Sequence, residues 1–197
     1  MLSLNTKYIL NLRHIPRTGW LLRGVPPVIA ESVAEHIFLT SIIAMDIAEK
    51  LWSRNIRLDK ARTLSMSIIH DVPEAVTGDI IRLVKANAEE HFSIIESQAI
   101  KELGIQEYES LYNELSSGET LESIVVKIAD DIATILEGKR LMGMGYHQVE
   151  EIIVNVEAHL RGLINAKTPM EVRGILWEIV REYLEASPAG GAYSNQK

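Results

Sequence analysis

The sequence predicts an all-α protein folded as a single-domain helical bundle. Three observations carry that reading. Apolar residues recur at helical spacing through long segments, the ends of those segments carry residues that cap helices, and short alternating apolar runs between turn residues, the mark of strands, are missing. The 197 residues, 47% hydrophobic and 24% charged, have an ordinary globular composition with material for one sizeable core. No internal repeat or linker divides the chain. Residues 1–186 are therefore read as one domain, and the small, polar end SPAGGAYSNQK, 187–197, as a disordered tail.

Element by element, ESVAEHIFLTSIIAMDIAEKLWSRN places Val33, Ile37, Thr40, Ala44, Ile47 and Leu51 on one helical stripe, with Glu31 or Ser32 able to cap its start. Asp59 caps a second helix, KARTLSMSIIHD, which Pro73 interrupts because the residue before a proline avoids the α region. A polar helical stretch follows from Ala86 to Leu103, with Gly104 as its C-cap, and ESLYNELSSGET gives a short helix and a loop. In LESIVVKIADDIATILEGKRL, Leu121, Ile124, Val125, Ile128, Ile132, Ile135 and Leu136 form a stripe. Helices also cover VEEIIVNVEAHLRGLIN and TPMEVRGILWEIVREYLEA. The last is expected to open with Thr168 as N-cap, Pro169 at its first position and Glu171 closing a capping box.

Charge and composition narrow the function. A net charge of -7 argues against a nucleic-acid partner, which needs a Lys/Arg-rich face. With no cysteine, any metal must be held by His and carboxylates. The N-terminus lacks the apolar core of a signal peptide and no run of 18 apolar residues occurs, so the expectation is a cytoplasmic protein with no membrane partner.

Chemistry concentrates in IIHDVPEAVTGDI, where His70 and Asp71 end an apolar run and Glu74 and Asp79 follow. Acids and an imidazole are costly to bring near a core unless something binds them. His36, His70, Asp71 and an aspartate of KIADD, Asp130 or Asp131, lie on three different helices, the way bundles assemble metal sites. Imidazole with carboxylate suits one divalent ion of the Mn, Co, Fe, Ni or Zn type, with Mg as a further option. Amphipathicity favours Asp131, which lies at the edge of the isoleucine stripe. However, Val126, Ala129 and Ala133 give the other side a small apolar face of its own.

In order, RTGWLLRGV, ESVAEH, HDVPEAVTGDI and VVKIAD resemble the HD superfamily of metal-dependent phosphohydrolases, most closely its 5'-deoxynucleotidase branch. The resemblance covers about residues 10 to 140. It implies an HD-type helical domain with His36, His70, Asp71 and Asp130 as metal ligands, leaving Asp131 in reserve. It implies Glu74 and Asp79 as catalytic and substrate-contacting acids, and Trp20 in the nucleotide pocket. Where some members have Arg immediately before that Trp, this chain has Gly19, so Arg17 and Arg23 are the candidates for the phosphate. The implied activity is removal of the 5'-phosphate from (deoxy)nucleoside 5'-monophosphates by a homodimer. The rivals are another HD chemistry, on nucleoside triphosphates or cyclic nucleotides, and a catalytically silent helical binding protein. Lys85 is read as solvated, and His14, His91, His147 and His159 as surface or packing residues.

Overall fold

The computed structural model of the protein describes residues 3–185, with the side chains at 83, 86, 89 and 90 outside that description. The tail expected at 187–197 also lies outside it. In chain order the helices are α1 (Thr6–Ile9), α2 (Thr18–Leu21), α3 (Val33–Ser53), α4 (Lys60–Ile69), α5 (Glu74–Thr77), α6 (Arg82–Asn87), α7 (Glu89–Leu103), α8 (Glu109–Ser117), α9 (Leu121–Gly143), α10 (Glu150–Lys167) and α11 (Met170–Glu185). Among the described residues the nearest thing to a strand is one antiparallel bridge, Pro16 with Ser32.

α9 is the axis of the bundle. It packs against α3, α10, α4, α8 and α11, and Ile124, Val125, Val126, Ile128, Ala129, Ile132, Ala133 and Ile135 are all buried, so both its faces meet protein. Each fully buried Ile or Val stabilises the fold by about 1.5–3 kcal/mol relative to exposure. Gly138 lets α10 come close: a Cβ there would lie 2.6 Å from Ile153 Cγ1. The main core joins α3, α9, α10 and α11 around Ile47, Leu51, Leu160, Ile164 and Leu176. A second, smaller cluster of Leu12, Val33, Ile37, Ala75, Ile100 and Leu103 binds the N-terminal segment to α5 and α7.

Local signals explain most boundaries. Asp59 accepts the Arg62 N–H at 2.9 Å and starts α4. α4 stops at Ile69, short of Pro73, and residues 70–73 form a turn. Gly104 ends α7 in the left-handed conformation, φ 71°.

Two expectations need correction. The polar stretch from Ala86 to Leu103 is not one helix. The backbone leaves the helical region at Ala88, with no side-chain cap, and the kink separates α6, carrying Arg82 and Lys85, from α7. The capping box at Thr168 does not close either. Thr168 has extended backbone, but its buried hydroxyl has no hydrogen-bond partner.

Candidate active site

Helices α3 and α9 and the turn that follows α4 bring the predicted metal ligands together. Ser32 and Glu35 cap α3 reciprocally, Ser32 Oγ accepting the Glu35 N–H and Glu35 accepting the Ser32 N–H. That fixes the first turn of α3, and His36 at its end is fully buried. Its Nε2 lies 2.9 Å from Asp130 Oδ1 on α9 and 3.9 Å from Asp71 Oδ2, and its Nδ1 faces Glu31 Oε1 at 3.6 Å. Because α4 stops before Pro73, His70 and Asp71 turn inward at its C-terminus. His70 Nδ1 donates to Ser67 O at 2.7 Å, which turns Nε2 toward the cluster, where it is buried without a hydrogen-bond partner 3.3 Å from Asp71 Oδ2.

Ligand atoms of His36, His70 and Asp71 lie within 4.8 Å of one another, and Asp130 adjoins them through His36. This donor set fits a divalent ion. An orphaned imidazole nitrogen, a second imidazole backed by Glu31 and two carboxylates are the ligands and outer partners that such ions use. The charges agree. Burial and then Arg17 depress the His36 imidazolium, but the hydrogen bond to Asp130 and the facing Glu31 carboxylate outweigh them and hold its pKa up, at about 9. Burial pushes Asp71 and Asp130 up, yet their histidine neighbours hold both well below the usual carboxylate range.

A cavity of about 570 Å³, large enough for a small ligand, opens beside this cluster. Asp71, Asp130, Glu74, Asp79 and Arg17 line its charged end, and Trp20, Leu22, Ile152 and Val156 the apolar part. Arg17 Nη1 lies 2.7 Å from Asp71 Oδ2 and 3.5 Å from Asp79 Oδ1. Burial disfavours its charge, but four surrounding carboxylates, Asp71 foremost, more than restore it. Arg23 instead pairs with Glu151 at the rim, 3.0 Å away. Glu74 is buried and its pKa is pushed up to about 8, by burial first and Asp71 second. Lys85 Nζ sits 3.0 Å from Glu74 Oε1, whereas Oε2 is buried without a partner. Trp20 is buried and donates its indole N–H to Glu31 at 3.1 Å.

A family model described as the HD domain matches residues 9–159, well over half of the chain. The chain belongs to the HD-domain family. Curated relatives of this HD-domain protein include the 5'-deoxynucleotidase HDDC2 of Danio rerio, 24% identical over 74% of this chain and 68% of that protein, and that of Homo sapiens, 29% identical over 64% and 61%. Among solved structures it is similar to a conserved hypothetical protein from Pyrococcus furiosus, with 30% identity, a TM-score of 0.78 and coverage of 91% of this chain and 97% of that one. A cyanophage S-2L HD phosphohydrolase (DatZ), bound to dA and one catalytic Zn²⁺ ion, shares the fold at 16% identity, with a TM-score of 0.67 and coverage of 94% and 99%.

The HD-domain chain brings nine predicted residues to or beside one cavity: Arg17, Trp20, Arg23, His36, His70, Asp71, Glu74, Asp79 and Asp130. Asp131 goes elsewhere, to His159 Nδ1 at 2.6 Å and Arg82 at 3.3 Å. Four neighbours escaped the sequence reading. The sequence marks Glu31 only as a helix-cap candidate, Lys85 as a solvated residue and His159 as a surface or packing residue. Arg82, 3.6 Å from Asp130, was not singled out. Each meets its partner through the fold, so no spacing in the sequence marks it.

Proposed function

We propose that the protein is a divalent-metal-dependent phosphohydrolase that removes the 5'-phosphate from (deoxy)nucleoside 5'-monophosphates. The observation that carries this reading is the convergence of buried His36 and part-buried His70 and Asp71, donors of metal type, with a part-buried guanidinium and a half-satisfied acid at one end of a ligand-sized cavity. Relatives named 5'-deoxynucleotidase supply the substrate class.

One divalent ion of the Mn, Co, Fe, Ni or Zn type, or Mg, held by His36, His70, Asp71 and Asp130, would offset phosphate charge and make a bound water more acidic. Arg17, already charged and anchored by Asp71 and Asp79, binds the phosphate through its remaining N–H groups. Glu74 orients the attacking water. Lys85 occupies its Oε1, leaving the unpartnered Oε2 to accept a water proton, and a pKa near 8 suits an exchange at neutral pH. As the water oxygen bonds phosphorus, the bond to the sugar O5' breaks and the leaving oxygen takes up a proton. Asp79 holds the Arg17 segment by accepting the Thr18 N–H, and Trp20 forms a rigid wall beside the sugar.

The homodimer and the cytoplasmic location expected from the sequence belong to this proposal. For the dimer, Phe38, Ile42 and Met45 form an exposed apolar stripe on α3. No helix among the described residues is long and apolar enough to cross a membrane.

The triphosphate rival has one observation in its favour: Arg82 and Lys85 add cations to the cavity. Both already face carboxylates, Asp130 and Asp131 for Arg82 and Glu74 for Lys85, and so are less available for further phosphates. A screen of metal-supplemented protein against nucleoside mono-, di- and triphosphates, ribo and deoxy, separates the readings. Inorganic phosphate released from deoxynucleoside monophosphates is the expected result. Pyrophosphate or triphosphate release would select the rival.

A further inference from the structure

Asp131 is a buried carboxylate for which the proposed reaction has no use. Its side chain is 1% exposed, with His159 and Arg82 as its donors. Fold stability does not account for it. α9 and α10 are already joined by Ile153, Val156, Leu160 and Ile164, and a buried polar tie between packed helices is commonly no better than apolar contact.

The pair does fix an imidazole. With Nδ1 tied to Asp131 at 2.6 Å, His159 has only Nε2 left to offer, and the half-exposed ring lines the cavity on one face of α10 with Ile152, Asn155 and Val156. Arg82 reaches both Asp131, at 3.3 Å, and the proposed metal ligand Asp130, at 3.6 Å, and the His159 ring lines the same cavity as Asp130, farther along it from the metal cluster's own residues. That is where the sugar of a nucleotide with its phosphate at the metal end would lie. Asp79, which the sequence offered for a substrate contact, is occupied: one oxygen accepts the Thr18 N–H at 2.5 Å and the other faces Arg17 at 3.5 Å.

We propose that His159, held in place by Asp131, hydrogen-bonds the 3'-hydroxyl of the substrate's sugar and selects nucleotides that carry it. In a deoxynucleoside 5'-monophosphate this is the only free sugar hydroxyl. A hydroxyl both donates and accepts, so it satisfies Nε2 whether or not that nitrogen bears a proton. The inference rests on the nucleotide reading above.

The test compares kcat/KM for matched deoxy- and 2',3'-dideoxynucleoside 5'-monophosphates in the wild type, His159→Ala, His159→Gln and Asp131→Asn, with thermal midpoints as a check on folding. The wild type should prefer the 3'-hydroxyl substrate about three- to tenfold, the range of one partly exposed hydrogen bond. In His159→Ala the ratio should fall to near one, mainly through a higher KM for the deoxy substrate. His159→Gln should keep part of the preference, and Asp131→Asn should lose part of it. A wild type without preference, or a ratio unchanged in folded His159→Ala, overturns the inference while leaving the nucleotidase reading intact. If no nucleotide is hydrolysed, that reading fails, and the inference is then decided by calorimetry with thymidine and 3'-deoxythymidine. Equal Kd values, or no binding of either, overturn it.

Discussion

Two adjacent aspartates on α9 have opposite surroundings. Asp131 is the deeper, 1% against 23% exposed, as its place at the edge of the isoleucine stripe predicts. Yet it is Asp130 that faces His36. Periodicity reads burial, whereas the facing partner depends on which helix packs there, and only the family resemblance carried that information. If Asp130 is a ligand, Asp130→Asn should remove bound metal, read by elemental analysis, and abolish turnover, while Asp131→Asn keeps both and alters chiefly KM; the opposite ranking would shift the ligand by one residue. The two arginines pose a similar question that the sequence left open. Arg17 is part-buried against Asp71 and Asp79, and Arg23 is at the rim with Glu151. Losing a preorganised donor to a reacting phosphate should cost about a hundredfold or more in kcat/KM for Arg17→Ala. For Arg23→Ala, a loss of under about tenfold fits a rim ion pair worth at most ~1 kcal/mol.

At the scale of elements, helices were legible wherever a long apolar stripe met a side-chain cap. α3, α4 and α9 fit that description, with Ser32, Asp59 and Thr120 each accepting a backbone N–H at the N-terminus. The polar stretch after the HD turn has no such markers, so nothing in its sequence signals the break at Ala88, where the backbone leaves the helical region without a side-chain cap. α11 shows the converse, a complete capping pattern that does not form its bonds. Thr168 Oγ1 is buried and unpartnered, so the hydroxyl contributes a desolvation cost and no hydrogen bond. Thr168→Val should therefore leave stability unchanged or raise it slightly in urea denaturation. Ser32→Ala, which breaks a formed capping box, should cost about 1 kcal/mol. A comparable loss for Thr168→Val would show that the Thr168 cap forms after all.

At the scale of the whole molecule, the proposed ligands come from three stretches of chain that the core clamps together. Apart from the adjacent His70 and Asp71, no local sequence signal could specify their geometry. This gathering places like charges in contact, and the proposed metal is what would offset them. Its removal should therefore be visible in global stability, with a definite dependence on pH. Without metal, His36 has a pKa of about 9 against an ordinary 6.5, so it binds its proton more tightly in the folded chain. Its contribution is fully present below pH 6.5 and is lost as pH rises through about 9. Glu74, raised from 4.5 to about 8, acts in the same direction: its contribution is fully present below pH 4.5 and is lost as pH rises through about 8. Asp71 and Asp130 are depressed, so their contributions hold above pH 3.8 and fade only in acid, outside this window. Chelator-treated protein should thus lose thermal stability from about pH 4.5 to 9, most steeply between 6.5 and 8 where the two groups act together. A metal needs the His36 lone pair, so its affinity should rise over the same interval as the competing proton leaves. The gain in Tm on adding Mn²⁺ or Co²⁺ to chelated protein should then grow from pH 6.5 to 9, and should vanish in His70→Ala, which removes a proposed ligand but leaves His36 to titrate. A gain independent of pH, or one that survives in His70→Ala, would mean that the metal binds elsewhere and that this cluster is held by protons alone.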